Sequence, residues 1–171
     1  SSAISAPSFL SLHQFQGFPE NTSRISANLP GSDSLRWAGG VLAPNGKIYC
    51  TPSQSDRVLI YNPLTDEVDT DSIVIGGGTV SKYNGAVLAP NGKIYCVPDQ
   101  VDNVLVVDPN DNTFTNIQFS NFSFSRNNRR WAGGVLAPDG NIYCVPSMGD
   151  STNNNLLSVL VINPNTNALS L

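Results

Sequence analysis

The chain has 171 residues, 40% of them apolar and 13% charged, and a formal net charge of −4. That length suffices for one domain with a sizeable core, and apolar residues gathered in short runs exclude the disordered class. No stretch reaches the roughly 20 apolar residues of a membrane span, so none is expected. The acidic balance argues against a nucleic-acid partner.

Residues 1–35 open on an apolar stretch, Phe9-Leu10-Ser11-Leu12-His13-Gln14-Phe15-Gln16, which predicts one strand followed by a linker. A unit then repeats three times, over residues 36–81, 82–129 and 130–171. It reads Arg36-Trp37-Ala38-Gly39-Gly40-Val41-Leu42-Ala43-Pro44-Asn45-Gly46-Lys47-Ile48-Tyr49-Cys50 in its first copy. The second copy starts at Lys82-Tyr83-Asn84-Gly85 and the third at Arg130-Trp131-Ala132-Gly133-Gly134. Cys50 and Cys96 are 46 residues apart, and Cys96 and Cys144 are 48 apart.

Within a unit, Gly39 to Ala43 predicts strand a and Lys47 to Thr51 strand b. Asn45-Gly46 lies between them as a hairpin turn, because both residues tolerate positive φ. Arg57 to Tyr61 predicts strand c, and Thr113 to Ser120, in the second unit, strand d. Four short strands every 46 or so residues form the blade of an all-β β-propeller. Strand a, poor in large side chains, suits the crowded inner position. The unit is similar to the blades of NHL-type and YVTN-type propellers and of the gluconolactonase-like six-bladed propellers. The resemblance implies fold and says little of function.

Three blades are half of a six-bladed ring. The third unit ends at Asn167-Ala168-Leu169-Ser170-Leu171, where its fourth strand should begin, so it is expected to lack that strand. The N-terminal strand then completes a blade in a partner copy. The expected partners are therefore the chain itself, as a homodimer closing the ring, or the rest of a longer chain. The chain starts at Ser1, its one Met is Met148, and sequons occur at Asn21 and Asn121. These features lean weakly towards a secreted or extracytoplasmic protein.

The candidate ligand-binding residues are Arg36, Trp37, Lys82, Tyr83, Arg130 and Trp131, a cation–aromatic pair ahead of each inner strand. Gathered on one channel rim, they would stack on a glycan or peptide and hold a carboxylate; alternatively each aromatic packs between blades. Cys50, Cys96 and Cys144 share parity with buried isoleucines and read as free core thiols. Asp56 and Asp102 read as Asx turns. The third unit carries a loop insertion, Gly149 to Asn155, on one face.

Catalysis lacks parts. His13 is the one histidine and the glutamates are Glu20 and Glu67, so no catalytic residue, metal or cofactor is expected. The lactonases that share this resemblance use acidic and Asn ligands around the channel, where this chain has Gly, Val, Leu and Ala. The expected function is a non-catalytic binding or scaffold module that presents a propeller face to protein or glycan. A structural subunit of a larger assembly is the alternative, and a lactonase or hydrolase the third reading.

Overall fold

The computed structural model describes residues 36–78, 80–120, 129–147 and 158–171. These form three four-stranded antiparallel sheets, with no helix among the described residues. Blade 1 is β1 (Trp37–Leu42), β2 (Ile48–Pro52), β3 (Leu59–Asn62) and β4 (Glu67–Asp69), paired in chain order. Blade 2 is β5 (Tyr83–Leu88), β6 (Ile94–Pro98), β7 (Asn103–Asp108) and β8 (Thr113–Gln118). Blade 3 is β9 (Trp131–Leu136), β10 (Ile142–Pro146), β11 (Leu160–Asn163) and β12 (Ala168–Ser170).

Turn chemistry fixes each meander. In the first hairpin Gly46 N–H donates to the Ala43 carbonyl at 3.0 Å, and Asn45 Oδ1 accepts from Lys47 N–H. Pro44 supplies the fixed φ of the first central position and Gly46 takes the left-handed one, at φ 79°. The turn is therefore a three-residue loop ending in a left-handed glycine, with positive φ at Gly46 alone rather than at both Asn and Gly as expected. Between strands c and d, Asn62, Asp108 and Asn163 accept from the N–H two residues on, at 3.1, 3.0 and 2.9 Å. The chain then reverses through Asp66, Asn112 and Asn167, all left-handed at φ 56–58°.

That reversal corrects the expected third blade. Asn167 turns the chain back, Ala168 follows at once, and β12 pairs with β11 through Asn163↔Ala168, Ile162↔Leu169 and Val161↔Ser170. Blade 3 thus has its fourth strand, and the vacancy that a partner's N-terminal strand was expected to fill is occupied. Residues 9–16 and the insertion Gly149 to Asn155 lie outside the described residues.

The inner strands begin two residues earlier than expected, at Trp37, Tyr83 and Trp131. Each carries an extra residue against its partner: Trp37 opposes Pro52 while Gly40 opposes Cys50. The same shift occurs in blades 2 and 3. Gly39, Gly85 and Gly133 sit within these bulges at φ 84°, 81° and 76°. They also touch. A Cβ on Gly85 would lie 3.0 Å from the Gly133 Cα, and one on Gly39 3.4 Å from the Gly85 Cα. Neighbouring blades therefore meet backbone to backbone around the axis.

Two hydrophobic clusters fill the inter-blade spaces. Tyr49, Val58 and Ile60 of blade 1 meet Ile94, Cys96, Leu105 and Val107 of blade 2. Val97, Val104 and Val106 on the other face of blade 2 meet Trp131, Ile142, Cys144, Leu160 and Ile162. The two-residue period of a strand assigns alternate side chains to the two clusters. Consequently β6 is buried along its whole length, while β2 and β10 each leave one face partly open.

Candidate functional site

Each aromatic of the six candidate residues ties strand a to the start of strand c in its own blade. Trp37 Nε1–H donates to the Arg57 carbonyl at 2.9 Å, and Trp131 Nε1–H to the Ser158 carbonyl at 2.9 Å. The Tyr83 hydroxyl donates to Asn103 Oδ1. Trp131 and Tyr83 are buried, and Trp131 stacks on Phe119 with ring centroids 5.8 Å apart. An indole N–H taken out of water needs such an acceptor, and a backbone carbonyl at a strand end supplies it.

The cations tie the seams. Lys82 is buried, and its ammonium donates to the Gly78 carbonyl at 2.9 Å. Burial pushes the Lys82 pKa below its ordinary value, and Asp56 pulls it back up. Arg130 is buried, donates to the Val101 carbonyl of blade 2 at 2.9 Å, and pairs with Asp102 at 2.8 Å. Asp102 therefore holds an ion pair across the blade seam. Arg36 lies 6.0 Å from the Trp37 ring centroid, and both residues are half-buried. Of the six candidate residues, Lys82, Tyr83, Arg130 and Trp131 are committed to packing and seams. Arg36 and Trp37 retain open surface.

The three cysteines are free. Cys96 and Cys144 are buried between blades, and burial pushes their thiols up to about 12. Cys50, on the open face of blade 1, is half-buried and also raised by burial. Among the described residues there is no histidine and no group of three or more His, Cys, Asp or Glu able to hold a metal ion. No helix of the described residues is long and apolar enough to cross a membrane.

A second set of residues, missed in the sequence, locks blade to blade. Asn45 Nδ2 donates to the Tyr49 hydroxyl oxygen at 3.0 Å and to the Pro109 carbonyl of blade 2 at 2.9 Å. The Tyr49 hydroxyl donates to Asn112 Oδ1 at 2.8 Å. Blade 2 repeats the tie on blade 3: Asn91 Nδ2 donates to Tyr95 Oη and the Pro164 carbonyl, and Tyr95 lies 3.2 Å from Asn167 Oδ1. The signal was present as Asn-Gly-x-Ile-Tyr followed, one blade on, by Pro-x-x-Asn.

Comparison with solved structures rests on this geometry. A catalytically inactive His-to-Ala variant of virginiamycin B lyase from Staphylococcus aureus, solved with quinupristin, superposes at TM-score 0.61 with 12% identity, over 83% of this chain and 42% of that one. The chain is a β-propeller chain. Kuenenia stuttgartiensis hydrazine synthase matches at TM-score 0.55 and 17% identity, over 90% of this chain and 38% of that one. A Bacteroides uniformis protein with the provisional name 6-phosphogluconolactonase matches at 0.56 and 19%, over 78% of this chain and 39% of that one. The propeller chain thus spans less than half of each of these structures. No protein-family model matches its sequence, and a search of curated proteins gives no match. At these identities the likeness is one of fold.

Proposed function

We propose that the chain is a non-catalytic binding or scaffold module whose working surfaces are its outer blade faces. One contrast carries this reading. Val87, Val97 and Val104 of blade 2 are 8%, 0% and 0% exposed against blade 3, whereas their counterparts Val135, Val145 and Val159 are 61%, 52% and 43% exposed. Contiguous exposed valines on a sheet face mark a surface built to be covered. The fate of the rim residues supports the same reading, since four of the six are spent on packing. Arg36 and Trp37 remain as a place where a glycan or peptide would stack. In an obligate assembly the same faces would make the chain a structural subunit. The neighbouring lyase and lactonase names belong to chains more than twice as long as the matched segment.

The test uses the full chain. Ring opening of a gluconolactone is followed with and without a divalent cation, and sedimentation velocity from pH 8 to pH 4 follows assembly of the wild type and of Val145→Arg. The expected outcome is no turnover above the spontaneous rate, and assembly that the variant loses. Turnover by the wild type, or assembly indifferent to Val145→Arg, overturns the reading.

A further inference from the structure

The Asn–Tyr tie changes its chemistry at both outer blades. Each inner tie holds three donor protons, two on the amide nitrogen and one on the hydroxyl. Three acceptors meet them: the tyrosine oxygen, the proline carbonyl and the Asn112 or Asn167 side-chain oxygen. In blade 3, Asp139 stands where Asn45 and Asn91 stand. Its Oδ1 accepts from Asn141 N–H, and its Oδ2 accepts from the Tyr143 hydroxyl at 2.7 Å. The tyrosine proton that points to the next blade in the inner ties is here turned inward to a carboxylate. In blade 1, Asp66 stands where Asn112 and Asn167 stand, with the same left-handed backbone, and accepts from the Tyr61 hydroxyl at 2.7 Å.

The two outer faces otherwise match each other. Blade 3 offers Val135, Val145 and Val159. In blade 2 the same positions pack on Ile142 and Cys144, and blade 1 carries Ile48 and Cys50 there, half-buried. A second copy, its blade 1 on this blade 3, continues the established inter-blade interface. Two copies joined twice give six blades, within the range propellers adopt. At each junction, however, the hydroxyl protons of Tyr143 and Tyr61 are each already given, to Asp139 and to the Asp66 of the other copy, and no donor is left between the two carboxylates. Two facing carboxylates with no donor between them repel, and the amide donor to the Pro63 carbonyl is missing.

We propose that two copies close head to tail into a six-bladed ring by taking up a proton at each junction, shared between Asp139 of one copy and Asp66 of the other. This rests on the reading of the outer faces as docking surfaces. The other titratable groups bonded into the tie, among the described residues, are Tyr143 from β10 and Tyr61 from β3, whereas Glu67 on β4 and Lys47 beside β2 share the parity of Asp69 and Tyr49, the face turned to blade 2. In blade 2 the Lys47 counterpart, Lys93, lies 3.5 Å from Asp108, whose place in blade 1 is taken by neutral Asn62. Lys47 acts instead on the Asp69 carboxyl of its own blade. Ser170 stands where Asp69 stands in blade 1, so blade 3 adds no further carboxylate at that position.

In the single chain, Asn141 and Tyr143 hold the Asp139 carboxyl below its ordinary range. Docking against Asp66 raises it, so docking binds protons and strengthens as pH falls. The expected gain is about tenfold in association per pH unit for each junction, over the window between the single-chain and docked pKa values.

Sedimentation velocity of the full chain from pH 8 to pH 4, at constant ionic strength, tests this. The wild type is expected at the mass of one 18.2 kDa chain at pH 8 and at twice that at low pH. Asp139→Asn, and the double variant with Asp66→Asn, restore the inner-tie chemistry and are expected to close at pH 8. A ring that Val145→Arg disrupts but that neither pH nor Asp139→Asn alters overturns the proton step while leaving the docking faces in place. A single-chain mass for wild type and both Asn variants at every pH overturns the closure.

Discussion

The same side chain does different work at equivalent positions, and the difference lies in its neighbour. Trp131 is buried against Phe119 and bonded through its indole, while Trp37 makes the same bond half-buried. Trp131→Ala is therefore expected to cost about 3–5 kcal/mol, the range for truncating a buried aromatic. Trp37→Ala should cost clearly less. Urea midpoints of the two variants check this, and equal losses would contradict the placement. The thiols divide in the same way. With pKa values near 12, Cys96 and Cys144 are about one part in ten thousand thiolate at pH 8. Both are almost fully buried, so iodoacetamide reaches them only through local opening and alkylation at pH 8 should be slow. Cys50, on an open face, should label first, and mass spectrometry of the native protein reads the order. Prompt labelling of Cys144 would place that strand wrongly.

At the scale of the element, backbone shape decides more than side-chain pattern. The hairpins were legible because Pro44-Asn45-Gly46 can do little else. The bulges were not, because Gly39-Gly40 looks like a run of small residues whether or not one of them is left-handed. Their role appears once β1, β5 and β9 lie side by side. Gly85→Ala combines a φ of 81° with a Cβ 3.0 Å from the Gly133 Cα. Gly46→Ala has a similar φ, 79°, and nothing within 4 Å. The second should cost roughly 1–2 kcal/mol for the left-handed conformation alone, and the first that plus about 1–3 kcal/mol for forcing two blades apart. Thermal melts of the pair check the difference, and equal effects would mean that the inner strands do not touch there. The end of the third unit was misread for a related reason. Three residues, Ala168–Ser170, are too few to show a period, and the signal lay in the left-handed turn residue before them.

For the whole molecule, the repeat and the blade architecture were legible, because Pro-x-Gly turns and Ile-x-Cys alternation recur at near-constant spacing. The rim was read as a set of six equals, and the structure separates them. Lys82 and Arg130 are buried because a blade precedes theirs, whereas no blade of the described residues precedes Arg36. Sequence cannot show this, since it prints the same cation three times without saying which neighbours surround it. That separation makes the molecule its own control. Ile-Tyr-Cys occurs in β2, β6 and β10 with the same covalent structure and three surroundings: a neighbour on one side, on both, and on the other side. In a linear array with nearest-neighbour coupling, opening starts at the ends and reaches the middle last. In the single chain, at pH 8, amide hydrogen exchange should be slowest at Tyr95 and faster at Tyr49 and Tyr143. The ratio of those rates measures directly what one docked blade contributes, without any substitution, and uniform exchange across the three tyrosines would show instead that the three blades open as one unit.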